Sequence, residues 1–247
     1  MHVFQNGIDA VAAGSDHSLL LGKDGSVWGT GSNDFGQLGD ESVTSTPSFI
    51  QVLNTGAEAI AAGGYQSLVL KQDGTVWAMG ANDYAQLGDA SKTTKTVMQL
   101  VYSGAKAIAA GFHHSLVLGL DGTVWATGSN KYGQLGDGSN TQRNVFVPVI
   151  PGAGQAVAAG GWHSMVLRRD GSFWVTGENH EGQLGDGSTV DKSAFVRVAQ
   201  RRDIGGWIMV PKSIKRSLRE FLPCFSVRDF SCVQRNQLNV HVYRLRI

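Results

Sequence analysis

Three adjacent pairs, His17-Ser18, His114-Ser115 and His163-Ser164, place an imidazole beside a hydroxyl, the raw material of nucleophilic catalysis. Their spacing argues against that chemistry. Neighbours in an extended segment point to opposite faces, so a histidine cannot deprotonate the serine that follows it. An equivalent position reads Gln66-Ser67, and glutamine is no general base. A hydrogen-bonding role that both His and Gln can fill suits the set better. Asp40, Asp89, Asp137 and Asp186 bring calcium to mind. However, Asp137-Gly138-Ser139-Asn140 lacks the alternating acids and closing glutamate of a calcium loop, and turn formation is the better account. Gly22-Lys23-Asp24 and the glycines around Gly133 and Gly136 lack phosphate-cradle spacing, and no Cys/His set has zinc spacing. The sequence therefore predicts no catalytic residue, no metal and no cofactor, and a protein that is not an enzyme.

The same residues recur because the chain repeats itself. Ala-Ala-Gly stands at 12–14, 61–63, 109–111 and 158–160. Trp28, Trp77, Trp125 and Trp174 follow in phase, and Gln-Leu-Gly-Asp closes the pattern at 37–40, 86–89, 134–137 and 183–186. Such a period marks stacked structural units that cannot bury their apolar faces alone. In the third unit, Ala107–Ala110, Ser115–Leu120, Thr123–Gly128 and Phe146–Val149 read as strands. Asp121-Gly122 between the second and third is a hairpin turn, repeated at Asp24-Gly25, Asp73-Gly74 and Asp170-Gly171. Four strands per unit is about the content of one propeller blade. The tryptophans follow the hairpins directly and are expected to pack in the core.

Ala-Ala-Gly-x-x-His-Ser-Leu, Asp-Gly-x-Val-Trp and Asn-x-x-Gly-Gln-Leu-Gly-Asp follow one another in all four units, and the series strongly resembles the regulator-of-chromosome-condensation repeat over residues 2–199. The resemblance implies an all-β fold, a β-propeller of four-stranded antiparallel blades. Complete rings in that family usually have seven blades, whereas this chain has four units. His2–Gly7 matches Gln51–Gly56, so the chain opens within a blade's last strand. A fifth Ala-Ala-Gly is due near 208, where Trp207-Ile208-Met209 stands instead. Three arrangements remain open: a small closed ring, an open arc whose blade edges self-associate, or a piece of a longer ring. The last two suit the blade shape better.

Hydrophobic residues at 42% against 17% charged place the chain among folded proteins. The net charge of +1 hides an asymmetry. Residues 1–199 hold 11 Lys/Arg against 17 Asp/Glu, and residues 200–247 hold 10 against 3. The domain organisation is thus a four-repeat propeller region, 1–199, followed by a non-repeat basic tail. In the tail, Ile214, Leu218, Phe221 and Leu222 fall at helical spacing among Lys212, Lys215, Arg216 and Arg219, and Leu238–Ile247 reads as a strand. A helix there could cap the last blade, meet a helix-binding partner, nucleic acid or a membrane surface, or come from a shifted reading frame; capping ranks first. The two cysteines, Cys224 and Cys232, make no disulfide framework. No signal peptide and no apolar run of membrane-spanning length is visible, which predicts a cytoplasmic or nuclear protein without a membrane span.

Comparison of the units with each other picks out candidate contact residues. The position before the fixed His or Gln varies, as Asp16, Tyr65, His113 and Trp162. So does the loop position two residues before Gln-Leu-Gly, as Phe35, Tyr84, Tyr132 and Glu181. Repeated residues hold a blade together, and variable ones at strand ends are free to face a partner. Large aromatics there suit protein contact. The expected function is a protein-binding scaffold. The resemblance adds guanine-nucleotide exchange on a Ran-like small GTPase as an alternative, although units of equal length leave no room for an inserted wedge. The basic tail adds chromatin or DNA association as another.

Overall fold

The computed structural model describes residues 7–199 and three tail strands, Trp207–Met209, Phe230–Gln234 and His241–Leu245. The first blade runs β1 (Ile8–Ala13), β2 (His17–Gly22), β3 (Val27–Gly31) and β4 (Thr46–Leu53). The second has β5 (Ala57–Ala62), β6 (Gln66–Lys71), β7 (Thr75–Gly80) and β8 (Lys95–Ser103). The third comprises β9 (Ala105–Ala110), β10 (His114–Gly119), β11 (Val124–Gly128) and β12 (Arg143–Ile150). The fourth is built from β13 (Gly154–Ala159), β14 (His163–Arg168), β15 (Phe173–Gly177) and β16 (Lys192–Ala199). Each blade is an antiparallel sheet in simple sequence order. The last strand of the third unit is longer than its apolar stretch. Gly128 pairs with Arg143, and the Thr127 hydroxyl donates to the Arg143 carbonyl, so the ladder starts before Phe146.

Local chemistry sets the hairpins. Gly25 has φ 77°, a left-handed conformation that costs glycine little. One Asp24 carboxylate oxygen accepts from both the amide and the hydroxyl of Ser26, which closes the turn. Asp73–Thr75 and Asp170–Ser172 repeat the arrangement, and Asp121 does so with one oxygen for the Thr123 amide and the other for its hydroxyl.

The core lies between blades. Leu21 and Val27 of the first meet Ala57, Val69 and Met79 of the second. Leu68, Leu70, Val76 and Leu87 of the second meet Ala105, Ile108 and Val117 of the third. Leu116, Leu118, Val124 and Leu135 of the third meet Val157 and Val166 of the fourth. At about 25 cal/mol per Å² of apolar surface, these seams are what hold successive sheets together. The inner strands β1, β5, β9 and β13 adjoin in that order, and among the described residues no comparable packing joins the fourth blade back to the first. The four blades therefore form an open arc rather than a small closed ring.

The tryptophans meet the expected core only in part, with Trp125 and Trp174 packed against it. All four are half-buried, at the edge of the core rather than inside it. The indole N–H donates to the hairpin hydroxyl in three of them, Trp28 to Ser26, Trp77 to Thr75 and Trp174 to Ser172. Lys71 lies 4.0 Å from the centroid of the Trp77 ring, and Arg168 lies 4.6 Å from that of Trp174. For Trp28, Trp77 and Trp174 the polar N–H finds its partner at the edge of a sheet beside a turn, whereas the Trp125 N–H is buried without a protein acceptor among the described residues.

In the tail, β17 (Trp207–Met209), β18 (Phe230–Gln234) and β19 (His241–Leu245) form a separate sheet ordered β17-β19-β18. The expected terminal strand corresponds to β19, and Trp207–Met209 belongs to this sheet rather than to a fifth blade. The expected helix at Pro211–Leu222 and the strand segment at His2–Asn6 lie outside the described residues. Among those described, no helix is long and apolar enough to cross a membrane.

Candidate functional site

The His–Ser residues do meet, but across blades. His17 Nε2 lies 2.9 Å from Ser67 Oγ, and His114 Nε2 lies 2.9 Å from Ser164 Oγ. Each serine hydroxyl donates to a backbone carbonyl of the preceding blade, Ser67 to Gln37 at 2.7 Å and Ser164 to Gln134 at 2.6 Å. Having spent its proton there, the serine must accept from the histidine N–H. The imidazole is thus a donor to the hydroxyl and cannot act as its base. Burial also depresses His17 to about 4, against a smaller opposing pull from Asp16, and His114 to about 3, so both rings are neutral at pH 7. Gln66 does the same work at the middle seam, donating to the Gly111 carbonyl at 2.9 Å. The glycine of Ala-Ala-Gly makes room for this clasp. A Cβ on Gly14 would sit 2.3 Å from the His17 ring and 2.5 Å from the Gly63 carbonyl.

The repeated aspartates are equally structural. Asn130 Nδ2 donates to Asp137 and to the Ser139 carbonyl, while its Oδ1 accepts from the Leu135 amide at 3.0 Å. Ser139 donates twice more to Asp137, from amide and hydroxyl, and Arg143 pairs with the same carboxylate. Burial would raise Asp137, but the bonds from Ser139 and Arg143 outweigh it and hold the carboxyl below its usual range. Asn33–Asp40–Ser42, Asn82–Asp89–Ser91 and Asn179–Asp186–Ser188 repeat this lock. The oxygens that a cation would need are occupied by protein donors, and among the described residues no group of acids, histidines and cysteines is placed to hold a metal.

This framework presents the variable residues. In every long loop the repeated glutamine accepts from the backbone amide of the variable position. Gln37 binds Phe35, Gln86 binds Tyr84, Gln134 binds Tyr132 and Gln183 binds Glu181, all at 2.9–3.0 Å. Strand register puts these loops and the short loops before His17, Gln66, His114 and His163 at the same end of each blade. Backbone bonds Ser15–Gly64, Gly64–Gly111 and Phe112–Gly161 tie those ends together.

There the two variable series interlock across each seam. Phe35 stacks on Tyr65 at 5.2 Å, Tyr84 on His113 at 4.4 Å and Tyr132 on Trp162 at 5.7 Å between ring centroids. Tyr65 meets Phe112 at 5.8 Å, and Phe112 and His113 both meet Trp162, at 5.6 and 5.2 Å. A continuous aromatic ridge thus crosses all four blades. Asp16 is exposed at its first end and takes no part in the stacking, and Glu181 is exposed at the other. Of the eight variable positions picked from the sequence, the six aromatic ones lie in the ridge. Two more were missed. Phe112 stands where other units have Ser15, Gly64 and Gly161, and that exception was the available signal. His180 reaches Tyr132 at 6.0 Å from a loop position that repeats nothing.

The described residues thus form a four-bladed β-arc with aromatic side chains gathered at one end. The RCC1-like domain model matches residues 2–211, and the chain belongs to that family. Human WBSCR16 is similar in structure, with TM-score 0.73 and 26% identity over 81% of this chain and 55% of that one. Yeast RCC1 (Prp20), solved bound to Kap60, gives 0.72 and 22% over 84% and 52%. Prp20p from Saccharomyces cerevisiae, described with its binding to Gsp1p and histones, gives 0.73 and 19% over 90% and 60%. The chain thus spans little more than half of these structures. The sequence matches no curated protein.

Proposed function

We propose that this protein is a binding scaffold that holds a partner protein against the aromatic ridge at the loop end of its blades. The observation that carries this is the pairing of each long-loop aromatic with the next blade's variable residue, on a frame repeated beneath it with Gln66 in place of one histidine. Half-exposed Tyr and Trp on rigid loops bury much area at small entropic cost. Tyr65, Tyr84, Tyr132 and Trp162 are all at least partly open to solvent.

The test is the triple change Tyr65→Ala, His113→Ala and Trp162→Ala. Sheet circular dichroism should survive, since the seam cores lie elsewhere, and the partner recovered by affinity capture should be lost. A variant that unfolds would make the ridge a structural element and end this reading, as would one that captures the partner normally.

A small GTPase is one partner of this class to examine, because the Prp20p structure is described with binding to Gsp1p. Acceleration of labelled-nucleotide release from a Ran-like GTPase would add exchange to the scaffold role, and no acceleration would remove it.

A further inference from the structure

The loop end of the arc is charged as well as aromatic. The loops that reach it carry eleven carboxylates against two lysines, Lys92 and Lys131. At the opposite end, the hairpins carry one aspartate each, beside Lys23 and Arg169. Some of the loop carboxylates are consumed internally. Asp89, Asp137 and Asp186 pair with Lys95, Arg143 and Lys192. Asp34, Asp83 and Glu181 are different. They are exposed and, among the described residues, pair with no cation: Asp34, which accepts only from the Ser45 hydroxyl, precedes Phe35, Asp83 precedes Tyr84, and Glu181 stands beside His180 where the other blades have a ring. The Asp83 charge is felt at the His113 ring. A cation already uses this surface, since Lys131 Nζ sits 5.0 Å from the Tyr132 centroid.

Aromatic faces edged by carboxylates attract cations twice, through the ring quadrupole and through charge. Arginine gains most, because its planar guanidinium stacks on a ring while its N–H groups bind a carboxylate. Other classes fit less well. Nucleic acid and acidic peptides would be repelled by the excess of carboxylates, and a purely apolar partner would leave them desolvated and unpaired. We infer that the ridge takes an arginine-rich, extended peptide segment of a partner protein, its guanidinium groups stacked on Tyr84 and Trp162 and paired with Asp34, Asp83 or Glu181. This rests on the ridge being the partner-binding surface and specifies the partner's chemistry.

The full chain is titrated with fluorescent arginine–glycine, lysine–glycine and glutamate–glycine repeat peptides of equal length, read by anisotropy and by Trp162 emission. The arginine peptide should bind, the lysine peptide more weakly and the glutamate peptide not at all, with affinity falling as salt rises. Replacing Asp34→Asn, Asp83→Asn and Glu181→Gln together should weaken arginine-peptide binding at least about tenfold, while Trp162→Ala should weaken it and abolish the emission change. Equal binding of the glutamate peptide, or arginine-peptide binding untouched by the carboxylate variant, overturns the inference. Binding that appears only after Arg201, Arg202, Arg216 and Arg219 are changed to serine also overturns it, and makes the chain's own tail the occupant. If no peptide binds yet the Tyr65/His113/Trp162 variant still loses its partner, the arginine chemistry falls and the scaffold reading stands. If that variant keeps its partner, the scaffold reading falls with it.

Discussion

A histidine that donates to a serine at a blade seam has a measurable consequence in acid. His17 and His114 titrate near 4 and 3 in the folded protein and near 6.5 when unfolded, because burial disfavours their charged form. The unfolded chain therefore takes up protons first. The stability these rings contribute is complete above about pH 6.5 and is lost as pH falls toward about 4. His17 alone accounts for on the order of 3 kcal/mol of that loss, and His163, also lowered by burial, adds in the same direction. Urea midpoints should drop through this window, ahead of the locked aspartates, whose support goes only at lower pH. His114→Gln copies the working solution of Gln66 and should flatten part of the slope while keeping most of the neutral-pH stability. An unchanged slope would mean that the buried, neutral His114 ring does not contribute to the loss in acid.

At the scale of the element, the long loop between the third and fourth strands of each blade is the part that holds the ridge in place. Asn130 supplies bonds to the Leu135 amide, to Asp137 and to the Ser139 carbonyl, and no other side chain reaches all three. Asn130→Ala leaves a buried amide and a carboxylate short of partners, a loss of about 1–3 kcal/mol. It should also release Tyr132 from Trp162, so Trp162 emission should shift even where the blade stays folded. A variant that loses stability with no change in emission would separate the loop lock from the ridge. The loop length and its Gln-Leu-Gly-Asp ending were legible as a repeated turn. The bond that the glutamine makes was not, because the amide that Gln134 accepts from belongs to a position that varies between units, Phe35, Tyr84, Tyr132 and Glu181.

Across the whole molecule, stability is shared along seams. Leu116 is fully buried in the core between the third and fourth blades. Leu116→Ala should cost about 2–5 kcal/mol. Each sheet packs only on its neighbours, so the damage should be local first. Hydrogen exchange should quicken in β9–β16 before it does in β1–β4, and a uniform increase would instead mean that the arc melts as one unit. The expected core packing of the tryptophans holds only in part: Leu and Val fill the seams, Trp125 and Trp174 pack half-buried against them, and Trp28, Trp77 and Trp174 bond the hairpins at the rim.

The repeat period, the Asp-Gly turns and the alternation of apolar residues were enough to determine four four-stranded blades and the places where they vary. These are local properties, set by turn chemistry and by which face of a strand must leave water. Only the tertiary structure decided that His17 meets Ser67 rather than Ser18, that the arc stays open, and that two variable series nearly thirty residues apart in the chain close into one aromatic ridge. Those contacts cross from one blade to the next, and no pattern within a single unit records how its neighbour is docked.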